Sequence, residues 1–457
     1  MIRRAEVRAS RAYRYGRTAM AALAVTGAAS GIAACGGAST GSSGASGSGK
    51  VVDLTLWESH SGATNPVAVA EQHIVTMFNQ SQKQVHVTIL ETKASTKALA
   101  AAQAGDPPVI AEIGHYDGQF RRNGLIVNQT PLMTGAGGFA ASQLASFYTG
   151  VIINGRMPQQ VTDGQPQPGK QYRLPADVKV SELFYNQALF QQAGISACPA
   201  TWTQLGADLV KLKKLGVTPM GYKDSTAHIL PPFISNGGAL YSPGQRTTQF
   251  DSSAGVTTFQ MFRNWYGKGL FVFSHGSDMR AAMANKKLAI EDGTSAGWVK
   301  ARDEARAGGV TLGACPEPIG TSGHSGNLIQ GLGFVIFSSA SSAQQKAAFE
   351  FEKFWNTPAV QAYWAKASGF TPTVKSAVPL IGASYLSSPA GQGLKVSIAE
   401  IASPYSEPRG QSDTYAQVDS QLDSAFYNAV TGKESVAAAL KGLDAADKRY
   451  LTGQTKI

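Results

Sequence analysis

Gly293-Thr294-Ser295-Ala296-Gly297 places a serine between two glycines, with a strand-forming run, Lys287 to Glu291, before it and a helical pattern after it. That is the setting of a nucleophile elbow, whose serine attacks acyl carbons once an acid and a histidine follow it in the chain. The only later histidine is His324, just past Asp303 and Glu317, which leaves no room for the intervening strands and helices. Ester hydrolysis is therefore not expected. Ser59-His60-Ser61 also sets hydroxyls beside an imidazole, but without an evident orienting acid it reads as a loop and not as a triad. His60, His73, His86, His115, His228, His275 and His324 form no HxxH or HxxxH pair, and the cysteines form no CxxC. No dedicated metal site and no cofactor are expected from these spacings. Binding, not catalysis, is the chemistry left to assign.

The elements that would position binding groups alternate in type. Val51 to Trp57 reads as a buried strand, Pro66 to Asn79 as a helix, Val85 to Leu90 as a strand, Thr96 to Ala104 as a helix and Pro108 to Ile113 as a strand. Such alternation specifies an α/β fold with a largely parallel sheet. Ligands of these sheets sit beyond the carboxyl ends of the strands. That rule selects Trp57, Glu58 and His60 after the first strand, and His115, Tyr116 and Asp117 after the third. Leu183 to Asn186 and Gly331 to Phe337 read as further strands. Thr201 starts a capped helix running to Leu215, and another helix spans 341 to 356. Phe259, Phe262 and Trp265-Tyr266 fall on one helical face, as do Phe351 and Phe354-Trp355, and both stripes read as core.

Six arginines precede residue 18, and Thr18 to Ala34 carries no charge. A basic start, an apolar middle and small residues at the cut describe a secretory signal, too short and too rich in Ala and Gly to span a bilayer. Ile32-Ala33-Ala34-Cys35 resembles a bacterial lipobox, which implies cleavage after residue 34 and lipid on Cys35. Gly36 to Gly49 contains only Gly, Ala, Ser and Thr, a flexible tether from 35 to 49. The formal charge of +10 falls to about +5 once six arginines and Glu6 are removed with the signal. Without a Lys/Arg block, nucleic acid is not an expected partner. With Cys35 lipidated, Cys198 and Cys315 remain as a candidate disulfide in an oxidising compartment.

Several segments, in order, resemble one known family. They are Leu54-Thr55-Leu56-Trp57, Ala104-Gly105-Asp106-Pro107-Pro108-Val109-Ile110, Leu183-Phe184-Tyr185-Asn186, Thr201-Trp202, Ala282-Met283 through Ile290 to Gly297-Trp298, and Ser368-Gly369-Phe370-Thr371-Pro372. Together they are similar to the substrate-binding proteins of bacterial ABC importers, in the carbohydrate-binding class that includes the maltose- and glycerol-3-phosphate-binding proteins. The resemblance covers nearly the whole mature chain. It implies a two-lobed periplasmic-binding-protein-like α/β fold with a ligand cleft between the lobes. Crossovers are expected near 173–178, 314–318 and 370–373. The first lobe would be 50–174 plus 317–369, and the second 175–316 plus 370–457. The implied protein is a monomer anchored by lipid at the extracytoplasmic face of the membrane. It would capture a sugar or oligosaccharide and deliver it to permease subunits. Glycerol-3-phosphate, a glycerophosphodiester or a polyol is the alternative ligand.

Sugars present apolar ring faces and many hydroxyls, so their clefts need aromatic platforms and fixed donors and acceptors. The resemblance implies Trp298 as the stacking platform, with Ser295 in the same turn as a hydroxyl donor. It places His115 where relatives carry an acid, and Asp177 and Lys179 where they place polar groups at the first crossover. Gln330 and Gly331 would line the cleft. Phe370 stands where the glycerol-3-phosphate binders carry Tyr, and Arg409 resembles their late arginine. His115, Lys179 and Arg409 would favour an anion, whereas the segment from Tyr222 to His228 lacks the tryptophans those binders carry there.

Overall fold

The computed structural model describes residues 51–114, 117–157, 161–162, 165–166, 169–240, 248–409 and 415–452. Two five-stranded sheets organise the chain. The first runs, edge to edge, Val85–Glu91, Val52–Glu58, Ile110–Ile113, Gly333–Ile336 and Leu174–Pro175. Its first three strands are parallel, and Gly333–Ile336 is antiparallel to both neighbours. The second runs Phe271–Phe273, Thr218–Tyr222, Leu288–Thr294, Ser181–Asn186 and Leu312–Cys315. The pattern repeats there: three parallel strands, then Ser181–Asn186 antiparallel to both neighbours.

Local chemistry explains where the elements start and stop. Asn65 caps the helix Pro66–Ser81 by accepting from Val67 N, and proline occupies its first turn. Thr201 caps Trp202–Lys213 through Gln204 N, and Ser341 with Gln344 forms a capping box on Ser342–Trp355. Gly369 ends Pro358–Ser368 at φ 85°, a left-handed conformation that glycine adopts at little cost.

Each sheet carries its own core. Phe334, Phe351, Trp355 and Trp364 pack with the first, and Trp202, Phe259, Phe262 and Phe426 with the second. The aromatic stripes are thus core, with Tyr266 left on the rim at 38 % exposed. A disulfide joins Cys198, ahead of the helix Trp202–Lys213, to Cys315 at the end of an edge strand, with 5.5 Å between the Cα atoms. No helix among the described residues is long and apolar enough to cross a membrane.

Three chain segments meet at the junction of the cores and are bonded to one another. Lys179 and Gln330 exchange backbone hydrogen bonds of 3.0 and 2.9 Å, Thr371 N donates to Val178 O at 2.8 Å, and Leu332 N donates to Asp177 Oδ1 at 2.8 Å. The second crossing lies at 330–332, not at 314–318. The strand Asn327–Ile329 pairs with Ser406–Pro408, Leu328 sits in the second core, and Ser322 N donates to Ser235 O. Residues 317–329 therefore pack with the second lobe. Conversely Phe370, Val374, Ala377, Ile381 and Leu394 fill the first core, because the chain after Gly369 folds back onto it.

Candidate functional site

Where the crossings meet the second core, a pocket of about 480 Å³ opens, lined by Lys179, Ser225, Thr226, Gln330, Arg409 and Asp423 among others. Backbone pairing of Lys179 with Gln330 fixes two of these side chains at one point. Ser225 and Thr226 begin the helix Thr226–Ser235, so the first backbone N–H groups of that helix stand at the wall. Thr226 Oγ1 donates to Asp423 Oδ1 at 2.9 Å. Arg409 N donates to Ile329 O at 3.0 Å, and its guanidinium pairs with Asp419. Burial lowers the Lys179 pKa; Asp177 opposes that shift, while Arg409 and Lys223 add to it. Burial also pushes the Asp423 carboxyl up to about 6. The wall combines the cations Lys179 and Arg409, the carboxyl groups of Asp419 and Asp423, a helix start and short hydroxyl side chains. Such a surface takes up an anion or a hydroxyl-rich solute.

A second constellation lies beside the first crossing, at the carboxyl end of the first sheet. His60 Nδ1 is 3.0 Å from Glu71 Oε1, 3.7 Å from Glu112 Oε2 and 3.9 Å from Glu58 Oε2, and its Nε2 is 3.8 Å from Asp177 Oδ2. Glu58 ends one strand, Glu112 lies in another, and Glu71 sits on the buried face of Pro66–Ser81. Burial holds Glu71 well above the usual carboxylate range, with Glu58 adding to it. Burial, then the Glu71 charge, does the same to Glu112. Asp177 is raised by burial against the opposing pull of His60 and Lys179.

The chain matches the family described as Bacterial extracellular solute-binding protein over residues 73–390. It belongs to that family. This solute-binding protein is 23 % identical over 227 residues to the sn-glycerol-3-phosphate-binding periplasmic protein UgpB of Yersinia pestis bv. Antiqua (strain Antiqua), an alignment covering 46 % of this chain and 51 % of that one. The chain thus spans about half the length of the curated relatives it matches. Among solved structures, it shares its fold with UgpB from Mycobacterium tuberculosis in complex with glycerophosphocholine, at TM-score 0.74 and 19 % identity, covering 89 % of this chain and 99 % of the other. It likewise matches the cyclic alpha-maltosyl-1,6-maltose binding protein from Arthrobacter globiformis, at TM-score 0.73 and 19 % identity, over 88 % and 100 % of the two chains.

Of the residues selected from sequence, the solute-binding protein brings Lys179, Gln330 and Arg409 together at the pocket, and Glu58, His60 and Asp177 together beside it. Gly331, between the two groups, has φ 151°, and a Cβ there would meet Asp177 O at 2.1 Å. Trp298 is a correction. It is 1 % exposed, packs on Phe184 and donates from Nε1 to Ala390 O at 2.8 Å, so no face of it is offered to a ligand. Ser295 is buried in a short turn, its Oγ 3.4 Å from both Val180 N and Thr371 Oγ1, and it clamps the crossings. Phe370 stacks on Trp364 in the first core, presenting only an edge to His60. Trp57 packs on the cluster around Ala94 and Phe120, on the other face of the first sheet. Asp117 begins the helix Asp117–Arg122, while His115, Tyr116 and Cys35 lie outside the described residues.

Sequence reasoning missed Glu71, Glu112, Ser225, Thr226 and Asp423. The first two had a signal. Glu71 interrupts the apolar stripe Val67, Ala70, Ile74, Val75, Phe78, and Glu112 interrupts an otherwise apolar strand. The expectation of no metal site rested on short motifs, which cannot register Glu58, His60, Glu71 and Glu112, a group of potential ligands drawn from separate elements.

Proposed function

We propose that this protein is the receptor of an ABC importer, held at the extracytoplasmic face by lipid on Cys35, and that it passes a polyhydroxylated, phosphorylated solute to membrane permease subunits. The pocket formed by Lys179, Gln330, Arg409 and the start of Thr226–Ser235 carries the reading. A ligand seated there touches both crossings, so its binding energy acts on the hinge between the two cores. Lys179 and a helix start favour phosphate, with Arg409, paired to Asp419, beside them. Neither Trp298 nor Phe370 reaches the pocket to stack on a sugar ring. The names of the two UgpB relatives, for glycerol-3-phosphate and glycerophosphocholine, support the same class. A neutral oligosaccharide is the second reading, favoured by Gln330 and the hydroxyls of Ser225, Thr226, Ser420 and Ser424 on the same wall and by the Arthrobacter relative.

Calorimetric titration of residues 50 to 457 with glycerol-3-phosphate, glycerophosphocholine, maltose and glucose separates the readings. A charge-assisted hydrogen bond is worth about 1.5–3 kcal/mol, so Lys179→Met should weaken a phosphorylated ligand about 10- to 150-fold. Binding of a neutral sugar that Lys179→Met changes less than about threefold would assign the pocket to oligosaccharide instead.

A further inference from the structure

We infer that Glu58, His60, Glu71 and Glu112 form a binding site for a divalent cation of the zinc class, oriented from behind by Asp177. One ligand atom from each of the four residues lies within 4.8 Å of all the others. Four ligands held about 2.0–2.1 Å from a tetrahedral ion stand about 3.3–3.4 Å apart. The His60 Nδ1 separations of 3.0, 3.7 and 3.9 Å from three carboxylates bracket that edge. The donor set, one imidazole nitrogen and carboxylate oxygens, suits zinc, whereas calcium calls for six to eight oxygens.

The acids outnumber the N–H and hydroxyl donors around them. His60 Nδ1 meets Glu71 Oε1 at 3.0 Å, Glu58 and Glu112 accept from the backbone of His60 and Ser59, and Glu71 also hydrogen-bonds both of those acids. Glu58 Oε1, Glu71 Oε2 and Asp177 Oδ2 accept from no N–H or hydroxyl group among the described residues, although their side chains are 1, 2 and 3 % exposed. Buried acceptors without donors are costly, and a cation satisfies several at once. Asp177 Oδ2 faces His60 Nε2 at 3.8 Å, the side of the ring opposite the ion. Closing that gap to hydrogen-bond length would let the carboxylate accept from the Nε2 proton and leave Nδ1 to ligate. His60 is 20 % exposed, which gives an ion its way in. Solute titration reads Lys179 and zinc titration reads His60, Glu71 and Glu112, so failure of one assignment is told apart from failure of the other although Asp177 neighbours both sites.

The test uses the mature protein stripped with EDTA, dialysed, and titrated calorimetrically with ZnCl2, MnCl2 and CaCl2 without any solute. One zinc per chain, held at least tenfold tighter than calcium, is expected. His60→Ala, Glu71→Gln and Glu112→Gln should each weaken zinc at least tenfold, and Asp177→Asn about 10- to 100-fold. X-ray absorption of the zinc-loaded wild type needs no variant, and should give one nitrogen and three oxygens at about 2.0–2.1 Å. The assignment is overturned by sub-stoichiometric zinc, by variants that fold yet bind zinc as tightly as wild type, by calcium matching zinc, or by an all-oxygen shell.

Discussion

Opening the Cys198–Cys315 bridge should remove a large share of the stability of the second lobe. The two cysteines are 117 residues apart. In the chain-entropy account, closing a loop of that length lowers the entropy of the unfolded chain by about 16 cal/mol/K, or about 4.9 kcal/mol at 25 °C. A domain is stable by only about 5–15 kcal/mol, so the loss is a third of the total or more. With a urea m-value of about 3 kcal/mol/M, Cys198→Ala/Cys315→Ala should shift the unfolding midpoint down by about 1.6 M. Alanine is chosen because Cys315 is buried, where a serine hydroxyl would add a cost of its own. Wild type held in reductant should lose a similar amount. Neither cysteine lines the solute pocket, so affinity should stay unchanged where both proteins are folded. A midpoint shift under about 0.3 M, in variant and reduced wild type alike, would refute the loop-entropy reasoning.

Trp298→Ala should destabilise the protein by about 3–5 kcal/mol in urea unfolding, because the indole fills a core cavity. Solute affinity, measured by titration in the folded range, should move less than about threefold; a loss above tenfold would return Trp298 to the binding site. Stability should also fall as pH rises from about 5 to 8, in melts at constant ionic strength. Burial raises Glu291, Glu400 and Glu407 from 4.5 to about 7. The folded state therefore keeps protons that the unfolded chain releases above 4.5, and each group withdraws up to about 3 kcal/mol across that window. His228, lowered by burial, acts in the opposite direction as it deprotonates. A melting temperature that climbs steadily through this range would show that the three glutamates are ionised in the native state.

The first sheet was legible because its signals agree. Apolar strands alternate with helices, and two of the helices packed on it start at Asn65 and Ser341, side chains that hold the first amide groups. The boundary at the second crossing was not legible. Asn327 to Phe337 reads as two apolar runs close together, and nothing local says that Leu328 enters one core and Phe334 the other. The break is Gly331, whose backbone turns where a side chain would strike Asp177. Trp298 misleads for a related reason. A tryptophan after a small-residue turn looks the same in sequence whether its face meets a ligand or Phe184, and the packing partner at Gly393 is 95 residues away (393 − 298). Lys179 and Arg409 come from the family resemblance, the first beside the first crossing and the second as the late arginine. Glu71 and Glu112 needed a rule the reading did not apply, that an acid on an apolar face has a partner elsewhere in the fold.

The placement of Gly333–Ile336 between Ile110–Ile113 and Leu174–Pro175 has a consequence for how the chain comes into being. A polypeptide leaves the ribosome, or an export channel, amino end first. By the time Pro175 has emerged, the first sheet has its other four strands but a gap at the fourth position, with the Ile110–Ile113 edge bare. The filler arrives only after all five strands of the second sheet, Ser181 to Cys315, have passed. A bare apolar edge is a template for pairing with other chains. The half of the molecule that appears first must therefore wait, unfinished, for the half that appears later, and a holding chaperone has its longest task on the segment around Ile113.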